Sequence, residues 1–212
     1  MLSTNRVNGL TPIITVLNRN IMRKLLPKLN LACSIDEQRP TMCHVYVDND
    51  KVVATNASIL VVHSKNDLFG AVSESIPAQC YIPSEDWKEL TSKFERLEFV
   101  ESKENDTLGF LMVYRKKGAP RAVRLLSIES VGYYPNYKAV MPESSNDELS
   151  EVGISPELLL DVKQAMTTDK DLNIFLDFTG YARAIRVELN YSSGEVNDYK
   201  VEAIIMPVVR VK

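Results

Sequence analysis

The sequence predicts an α+β fold made of three similar units, and two observations support this prediction. Short β-rich runs and helical stretches follow one order that recurs three times: a strand, a helix, then three strands. Each recurrence takes about 60 to 70 residues, a period typical of a repeated supersecondary unit. In such a unit, the helix buries one face of the sheet.

Composition places the chain among globular proteins. Of its 212 residues, 45% are hydrophobic and 25% are charged, which allows a sizeable core. No apolar run is long enough for a membrane span and no basic start precedes an apolar core, so we expect a cytoplasmic protein without a membrane partner. The net charge of −3 would not draw the whole molecule to nucleic acid, although local clusters could.

Cysteine and histidine usage indicates neither disulfides nor a metal site. The cysteines Cys33, Cys43 and Cys80 are odd in number and widely spaced, which is typical of reduced thiols. His44 and His63 add no ligand at the close spacing that zinc requires. Because phosphate-cradling glycine loops and nucleophile elbows are also missing, we expect no cofactor and no catalytic activity.

The first unit begins with a β-rich run at residues 13–17 and a helix from Asn18 to about Cys33. Pro27 interrupts that helix, so a kink or a late restart is expected. The basic side chains of the helix are Arg19, Arg23, Lys24 and Lys28, with no acid among them. Two interpretations stay open for this basic surface: it is solvated, or it faces phosphate groups.

Three strands complete the first unit. They are predicted at residues 43–47, 51–55 and 59–63, with a hairpin turn at residues 48–50. Residues 67–77 are predicted to form a loop that leads into the second unit.

The second unit repeats the order from Cys80 onward. After a strand at residues 80–82, Ser84 is the expected cap of a helix with acidic residues in its first turn. The apolar side chains at helical spacing in this helix are Trp87, Leu90, Phe94 and Leu97. Of these, Trp87 is expected in the core. Strands follow at residues 96–101, 108–114 and 122–127.

A third unit follows an acidic, serine-rich linker at residues 143–150. The predicted domains are therefore residues 1–142, with two units, and residues 151–212, with the third. After a strand at 152–154, Ser155, Pro156 and Glu157 start a helix in the favoured order of cap, proline and acid. The apolar stripe of this helix is Leu158, Leu159, Val162 and Met166. The last strands are predicted at residues 172–178, 184–189 and 200–206.

The segment 132–142 concentrates rigid and aromatic side chains. Gly132 permits a turn, while Pro135 and Pro142 fix φ and remove backbone donors. Its three tyrosines offer large apolar faces with polar tips. We expect this segment to lie outside helices and central strands, either as a docking surface or as an ordered loop that caps the core.

Four stretches of the chain resemble, in the same order, stretches of one family. Residues 53–60, VATNASIL, are similar to the pattern A-T-D-G-H-R-L, and residues 134–142, YPNYKAVMP, to F-P-D-Y-x-x-V-L-P. Residues 154–166 are similar to that family's last helix, and residues 205–208, IMPV, to its C-terminal V-M-P-M. The family is the bacterial sliding clamp, the β subunit of the replicative DNA polymerase.

The resemblance implies a DNA-clamp-like fold with antiparallel sheets outside and helices on one face. Residues 1–142 would correspond to the middle clamp domain and residues 151–212 to the second half of the last one. Clamps of this family close a ring from twelve such units, so this chain would need four copies of itself. The implied function is non-enzymatic: a ring that tethers DNA-processing partners.

The resemblance also implies contact with double-stranded DNA. In such a ring, helices line the hole and meet phosphates through Lys and Arg without reading the bases. The residues that would take this role are Arg19, Arg23, Lys24, Lys28, Lys88 and Lys93.

A second implied site is an apolar pocket for short peptides of polymerases and repair proteins. Motif matching places Thr55, Ala57, Leu60, Pro135, Val140, Met206, Pro207 and Val208 around it. Ser58 and Ile59 stand where the family has His and Arg, Ala57 where it has Gly, and Ala139 where it has a basic residue. Peptide specificity is therefore expected to differ or to be lost. Two alternatives stay open: these residues are plain core packing, or the chain is a clamp-fold interaction module that never encircles DNA.

Overall fold

The computed structural model describes residues 25–104, 106–141, 154–168, 174–178, 185–189 and 201–206. Within these ranges the strands are β1 His44–Val47, β2 Lys51–Thr55, β3 Ile59–Ser64, β4 Cys80–Pro83, β5 Arg96–Glu101, β6 Thr107–Tyr114, β7 Arg121–Leu126, β8 Ile174–Phe178, β9 Ile185–Leu189 and β10 Val201–Ile205. The α-helices are α1 Lys65–Phe69, α2 Ser84–Trp87, α3 Ile128–Val131 and α4 Pro156–Met166. Short 3-10 helices occupy Leu29–Ala32, Pro40–Cys43, Gly70–Glu74, Lys88–Thr91 and Tyr137–Val140.

The strands of the described part join one antiparallel sheet, in the order β5-β6-β7-β4-β1-β2-β3-β10-β9-β8. Pairing of β3 with β10 joins the last described strand of the chain to the hairpin β2–β3, since Ile59 lies opposite Ile205 and His63 opposite Val201. The predicted α+β class is confirmed. The division into domains at residues 142 and 151 stays a prediction, and the linker at residues 143–150 lies outside the described residues.

Apolar side chains form one cluster on each face of the sheet. The larger cluster lies between the sheet and the helices and includes Trp87 and Met166, so the predicted core position of Trp87 is confirmed. The smaller cluster consists of Val53, Leu60, Val62, Tyr137 and Ile204. Because alternate residues of a strand point to opposite faces, β2 and β3 contribute to both clusters. The segment 132–141 covers the second face at this place.

The helix predicted up to Cys33 is wrong over the part that the structure describes. Residues 25–28 are not helical, and only the 3-10 helix Leu29–Ala32 follows. Pro27 accounts for the break, since its ring clashes with a continuing helix and it has no N–H to donate. The earlier part of that predicted helix, like the strand predicted at residues 13–17, lies outside the described ranges.

The loop predicted at residues 67–77 is also wrong, because α1 and the 3-10 helix Gly70–Glu74 occupy most of it. The Ser64 hydroxyl caps α1 and accepts a hydrogen bond from the N–H of Asp67 at 3.3 Å. Leu68, Phe69 and Val72 from this stretch are buried. Burial of these side chains in the core stabilises the two short helices, which the polar residues of this stretch did not predict.

The second helix is shorter than its apolar spacing predicts. It consists of α2 and the 3-10 helix Lys88–Thr91, with Pro83 and not Ser84 at the N-cap position. Phe94 and Leu97 are buried, but they follow the helix, and Leu97 already belongs to β5. Extended chain therefore delivers these two side chains to the same core.

The third helix agrees with its prediction. In α4 the Ser155 hydroxyl accepts from the N–H of Leu158 at 3.5 Å, and Pro156 occupies the first helical position. Val162 and Met166 from the predicted stripe are buried, and Leu158 and Leu159 pack beside them. Within the described ranges, the helices are all too short or too polar to cross a membrane.

Candidate functional site

The β2–β3 turn is held rigid by its own polar side chains. The side-chain oxygen of Asn56 accepts hydrogen bonds from the N–H groups of Ser58 and Ile59, both at 3.0 Å. The Thr55 hydroxyl donates to the carbonyl of Ile59 at 2.7 Å and accepts from the N–H of Ala57 at 3.2 Å. Ala57 has φ of 74°, in the left-handed region that a residue with a Cβ resists.

The segment 132–141 is anchored to the sheet by aromatic side chains. The Tyr81 hydroxyl donates to the carbonyl of Gly132 at 2.7 Å, and Gly132 has φ of 108°, which favours glycine. The ring of Tyr134 stacks on Tyr46 with centroids 4.7 Å apart. The tyrosines of this segment therefore have different roles, because Tyr134 packs on the sheet whereas Tyr133 is 89% exposed.

Asp48, in the β1–β2 turn, fixes the end of the same segment. Its carboxylate accepts from the Tyr137 hydroxyl at 3.0 Å and lies 3.3 Å from the ammonium of Lys138. Burial alone would raise the pKa of Asp48, but hydrogen bonds from the Asn49 N–H, Tyr137 and Lys138 outweigh burial and hold the pKa below its ordinary value. Burial first, and the Asp48 carboxylate second, raise the pKa of Tyr137, so its hydroxyl stays a donor at neutral pH.

These elements enclose an apolar cavity of about 210 Å³. Its lining residues are Met42, Thr55, Ala57, Ser58, Ile59, Leu60, Pro135, Asn136, Tyr137, Val140, Ile204 and Met206. Six of the predicted pocket residues are among them: Thr55, Ala57, Leu60, Pro135, Val140 and Met206. The other two, Pro207 and Val208, lie outside the described residues.

Six lining residues were not among the predicted pocket residues: Met42, Ser58, Ile59, Asn136, Tyr137 and Ile204. Ile204 lies opposite Leu60 in the β10–β3 pairing, a register that the sequence alone does not reveal. Met42 arrives from the 3-10 helix before β1, and Asn136 precedes Tyr137 in the aromatic segment. Asn136 and Tyr137 had a signal, since they belong to the aromatic segment 132–142, and Ser58 and Ile59 had one in the motif at residues 53–60.

The mouth of the cavity is apolar as well. Val140 is 52% exposed and Met206 is 44% exposed, and both side chains also line the cavity, so they form a continuous apolar surface with it. The N–H of Met206 donates to the carbonyl of Ser58 at 3.0 Å and so extends the β10–β3 pairing to the rim. The arrangement suits an apolar side chain that enters from outside.

The predicted DNA-contacting lysines in the described part are exposed and lie near the helices. Lys28 precedes the 3-10 helix Leu29–Ala32, and Lys88 is the first residue of the 3-10 helix Lys88–Thr91. Lys93 lies between that second helix and β5. The N–H of Leu26 donates to the carbonyl of Leu90 at 2.8 Å, which ties the chain around Lys28 to the chain around Lys88. Arg19, Arg23 and Lys24 lie outside the described residues.

Both histidines are used as backbone partners. Nε2 of the buried His63 lies 2.8 Å from the carbonyl of Ala165 in α4, and Nδ1 of His44 lies 2.7 Å from the carbonyl of Pro40. Among the residues that the structure describes, no group of three or more His, Cys, Asp or Glu side chains could hold a metal ion.

With this geometry established, comparison with solved structures assigns the chain the fold of bacterial DNA polymerase sliding clamps, as the sequence resemblance implied. It is similar to the Bacillus subtilis clamp, with a TM-score of 0.57 and 16% identity over 94% of this chain and 67% of that one. For the Caulobacter crescentus clamp the TM-score is 0.58 and the identity 16%, over 99% of this chain and 69% of that one.

A third similar structure is the Helicobacter pylori clamp bound to a DNA ligase peptide, with a TM-score of 0.53 and 10% identity over 86% of this chain and 62% of that one. This chain therefore spans between 62% and 69% of the length of these three clamp chains. No protein-family model matches the sequence, and no curated protein matches it. At these identities the likeness establishes the fold, and function has to be argued from the site.

Proposed function

We propose that this chain is a non-enzymatic, sliding-clamp-like tether that holds short peptides of DNA-processing proteins while contacting double-stranded DNA. The observation that carries the proposal is the apolar cavity where the β2–β3 turn, the end of β10 and the segment 132–141 meet. A peptide partner is also supported by the Helicobacter pylori clamp, which was crystallised with a DNA ligase peptide.

The size and walls of the cavity suit an apolar side chain of a peptide. At about 210 Å³ it exceeds the cavity of about 150 Å³ that suffices for a benzene ring. Its walls are held by hydrogen bonds of Asn56, Thr55 and Tyr137, so little ordering is required when a ligand enters. The flexible thioether of Met206 at the mouth can adapt to different side chains.

Charge around the cavity favours an uncharged anchor residue in the peptide. Asp48 and Lys138, beside the Tyr137 wall, are paired with each other. Ser58 and Ile59 line the cavity where the clamp pattern has His and Arg, which removes one cationic side chain and one imidazole. A peptide that relies on acidic side chains opposite positions 58 and 59 is therefore not the one that we expect this cavity to prefer.

Titration of a short fluorescent peptide with leucine as its apolar anchor residue tests this proposal by anisotropy. Val140→Asp and Met206→Asp place a charge at the mouth and are expected to weaken binding at least about tenfold, because a carboxylate would be desolvated beside the ligand. Ile35→Asp is the matched control, since Ile35 is 99% exposed and does not line the cavity. Equal affinities for all four proteins would contradict the proposal.

DNA contact is proposed through Lys28, Lys88 and Lys93, together with Arg19, Arg23 and Lys24. The three described lysines are exposed near the helices, where ammonium groups can meet phosphates without reading bases. Because the net charge of the chain is −3, attraction to DNA depends on these local lysine and arginine side chains. Added salt screens that attraction and is expected to weaken DNA binding.

Self-association is proposed through the two ends of the sheet. In the described part, β5 and β8 are the outermost strands, and each has one side without a neighbouring strand. Such edges can pair with another chain. Phe175 on β8 is 51% exposed and adds apolar surface there. Head-to-tail pairing of about four copies would supply the units that a ring requires.

The alternative function is a clamp-fold interaction module that binds peptides and does not encircle DNA. It is favoured by the apolar cavity itself and by the net charge of −3, which gives the whole molecule no attraction to nucleic acid. Reversal of the predicted DNA-contacting charges separates the two functions.

A further inference from the structure

Two cysteines stand at the base of a short loop. Cys33 directly follows the 3-10 helix Leu29–Ala32, and Cys43 is the last residue of the next 3-10 helix. The N–H of Ser34 donates to the carbonyl of Met42 at 2.8 Å, so a backbone hydrogen bond joins the neighbours of the two cysteines. In antiparallel chains, the residues just outside such a bonded pair lie opposite each other, with Cα atoms about 4.5 Å apart. That separation lies within the range in which a disulfide forms.

The two thiols also interact electrostatically. Burial first, and the Cys43 thiol second, raise the pKa of the Cys33 thiol to about 12. Because such an interaction weakens with distance, it is evidence that the sulfur atoms are near each other.

Both cysteines are free thiols in the structure. Sγ of Cys33 donates to the carbonyl of Leu29 at 3.7 Å, and Sγ of Cys43 donates to the carbonyl of Asp36 at 3.2 Å. A thiol is a weak hydrogen-bond donor, so little is lost when the two side chains rotate toward each other.

The two cysteines differ in their access to solvent. Cys33 is 6% exposed, whereas Cys43 is only half-buried. Cys43 is therefore the thiol that a dissolved oxidant reaches, and Cys33 is placed to react with the product. Burial first, and then the carboxylates of Asp36 and Glu37, raise the pKa of the Cys43 thiol. A half-buried thiol beside carboxylates favours an oxidant that is small and uncharged, such as a hydroperoxide.

We propose that Cys33 and Cys43 form a reversible disulfide when the protein meets a hydroperoxide. With hydrogen peroxide, the thiolate of Cys43 attacks one oxygen, the O–O bond breaks, and hydroxide leaves and takes up the proton that the thiol released. The product is a sulfenic acid on Cys43. The sulfur of Cys33 then attacks that of Cys43, the S–O bond breaks, and the oxygen leaves as water with the proton of Cys33. The two thiols lose two electrons and two protons, and the peroxide becomes two water molecules.

The disulfide would lie next to the apolar cavity. Met42, directly before Cys43, lines that cavity, and its N–H donates to the carbonyl of Arg39 at 2.9 Å. A covalent bond at Cys43 therefore fixes the chain beside one wall of the proposed peptide site. The inference goes beyond the proposed function, because formation of the disulfide requires neither a peptide nor DNA.

Mass spectrometry of the full chain after treatment with hydrogen peroxide tests the proposal. The remaining thiols are alkylated in denaturant, and a glutamate-specific protease then cleaves after Glu37, between the two cysteines. The three cysteines fall into three fragments, residues 1–37, 38–74 and 75–85. We expect fragments 1–37 and 38–74 to stay joined, and to separate as alkylated peptides when dithiothreitol is added before alkylation.

Single substitutions identify the bridge. Cys43→Ser removes the accessible thiol and is expected to abolish the joined fragments, and Cys33→Ala, the second variant, should abolish them as well. Cys80→Ala is the matched control and should keep them. Oxidation of Met206, which is 44% exposed, shows that the peroxide acted on the protein. Wild-type protein that carries this sulfoxide but yields separate fragments 1–37 and 38–74 overturns the proposal, as does a bridge that forms equally to Cys80.

Discussion

The carboxylate of Asp48 accepts a hydrogen bond from the hydroxyl of Tyr137 at 3.0 Å, although the two residues are 89 positions apart in the chain. Asp48 belongs to the β1–β2 turn, whereas Tyr137 lines the apolar cavity. A polar contact outside the cavity therefore sets the position of one of its walls.

Replacement of Tyr137 by phenylalanine tests this contact. The ring keeps its packing but Asp48 loses a donor, so we expect the free energy of unfolding to fall by about 1 to 2 kcal/mol. Peptide affinity should fall as well, because the wall is no longer held in place. Urea unfolding and the anisotropy titration measure the two effects. Lys138→Gln is the control: its side chain is 68% exposed, so the change should cost less than about 1 kcal/mol.

Stability should depend on pH through the same carboxylate. The pKa of Asp48 is lower in the folded chain than its ordinary value, so its stabilising contribution is complete above the unfolded pKa of about 3.9. This contribution is lost as the pH falls through the folded pKa. We therefore expect the difference in unfolding free energy between wild type and Asp48→Asn to shrink below about pH 4. A difference that grew toward acid pH would contradict this assignment.

Glycine at position 57 should stabilise the protein. Ala57 has φ of 74°, a conformation that costs a residue with a Cβ roughly 1 to 2 kcal/mol. Part of the gain is offset by the greater freedom of glycine in the unfolded chain, so Ala57→Gly is expected to add about 0.5 to 1 kcal/mol. Asn56→Ala, which removes the acceptor of two hydrogen bonds in the same turn, should lower stability. Urea unfolding at a constant m-value measures both changes.

Charge reversal separates the clamp-like tether from the module that never encircles DNA. Changing Arg19, Arg23, Lys24 and Lys28 to Glu should abolish association with duplex DNA if these side chains meet phosphates, and should leave peptide binding unchanged. The control reverses the same number of charges at exposed positions outside the predicted site: Lys103, Lys116, Lys117 and Arg121. Unchanged DNA affinity in the first variant would favour the module.

Local patterns predicted the strands well. Residues 51–55 and 96–101 coincide with β2 and β5, since apolar or β-rich runs bounded by turn residues specify extended chain without help from the rest of the fold. The helix start at Ser155 was equally local. The second helix was overextended because Phe94 and Leu97 continue a helical spacing, while their burial is in fact achieved from extended chain.

The candidate site depended on contacts that local patterns do not contain. Six lining residues came from the family resemblance, which carries information about the whole fold. Ile204 enters the cavity through the β10–β3 register, and Asp48 acts through Tyr137 across a long stretch of chain. A second cavity, lined by Lys28 and Lys163 among others, was likewise hidden from local patterns. It forms between α4 and the chain around Lys28, which are more than a hundred positions apart in the sequence.

The most direct test of a clamp that closes around DNA is the mass of the protein in solution, measured by light scattering at low micromolar concentration. The measurement is made with and without nicked circular DNA. A mass near four times that of the 23.9 kDa chain is the expected result. A monomer or a simple dimer under both conditions would contradict a closed ring of identical chains and would favour the peptide-binding module.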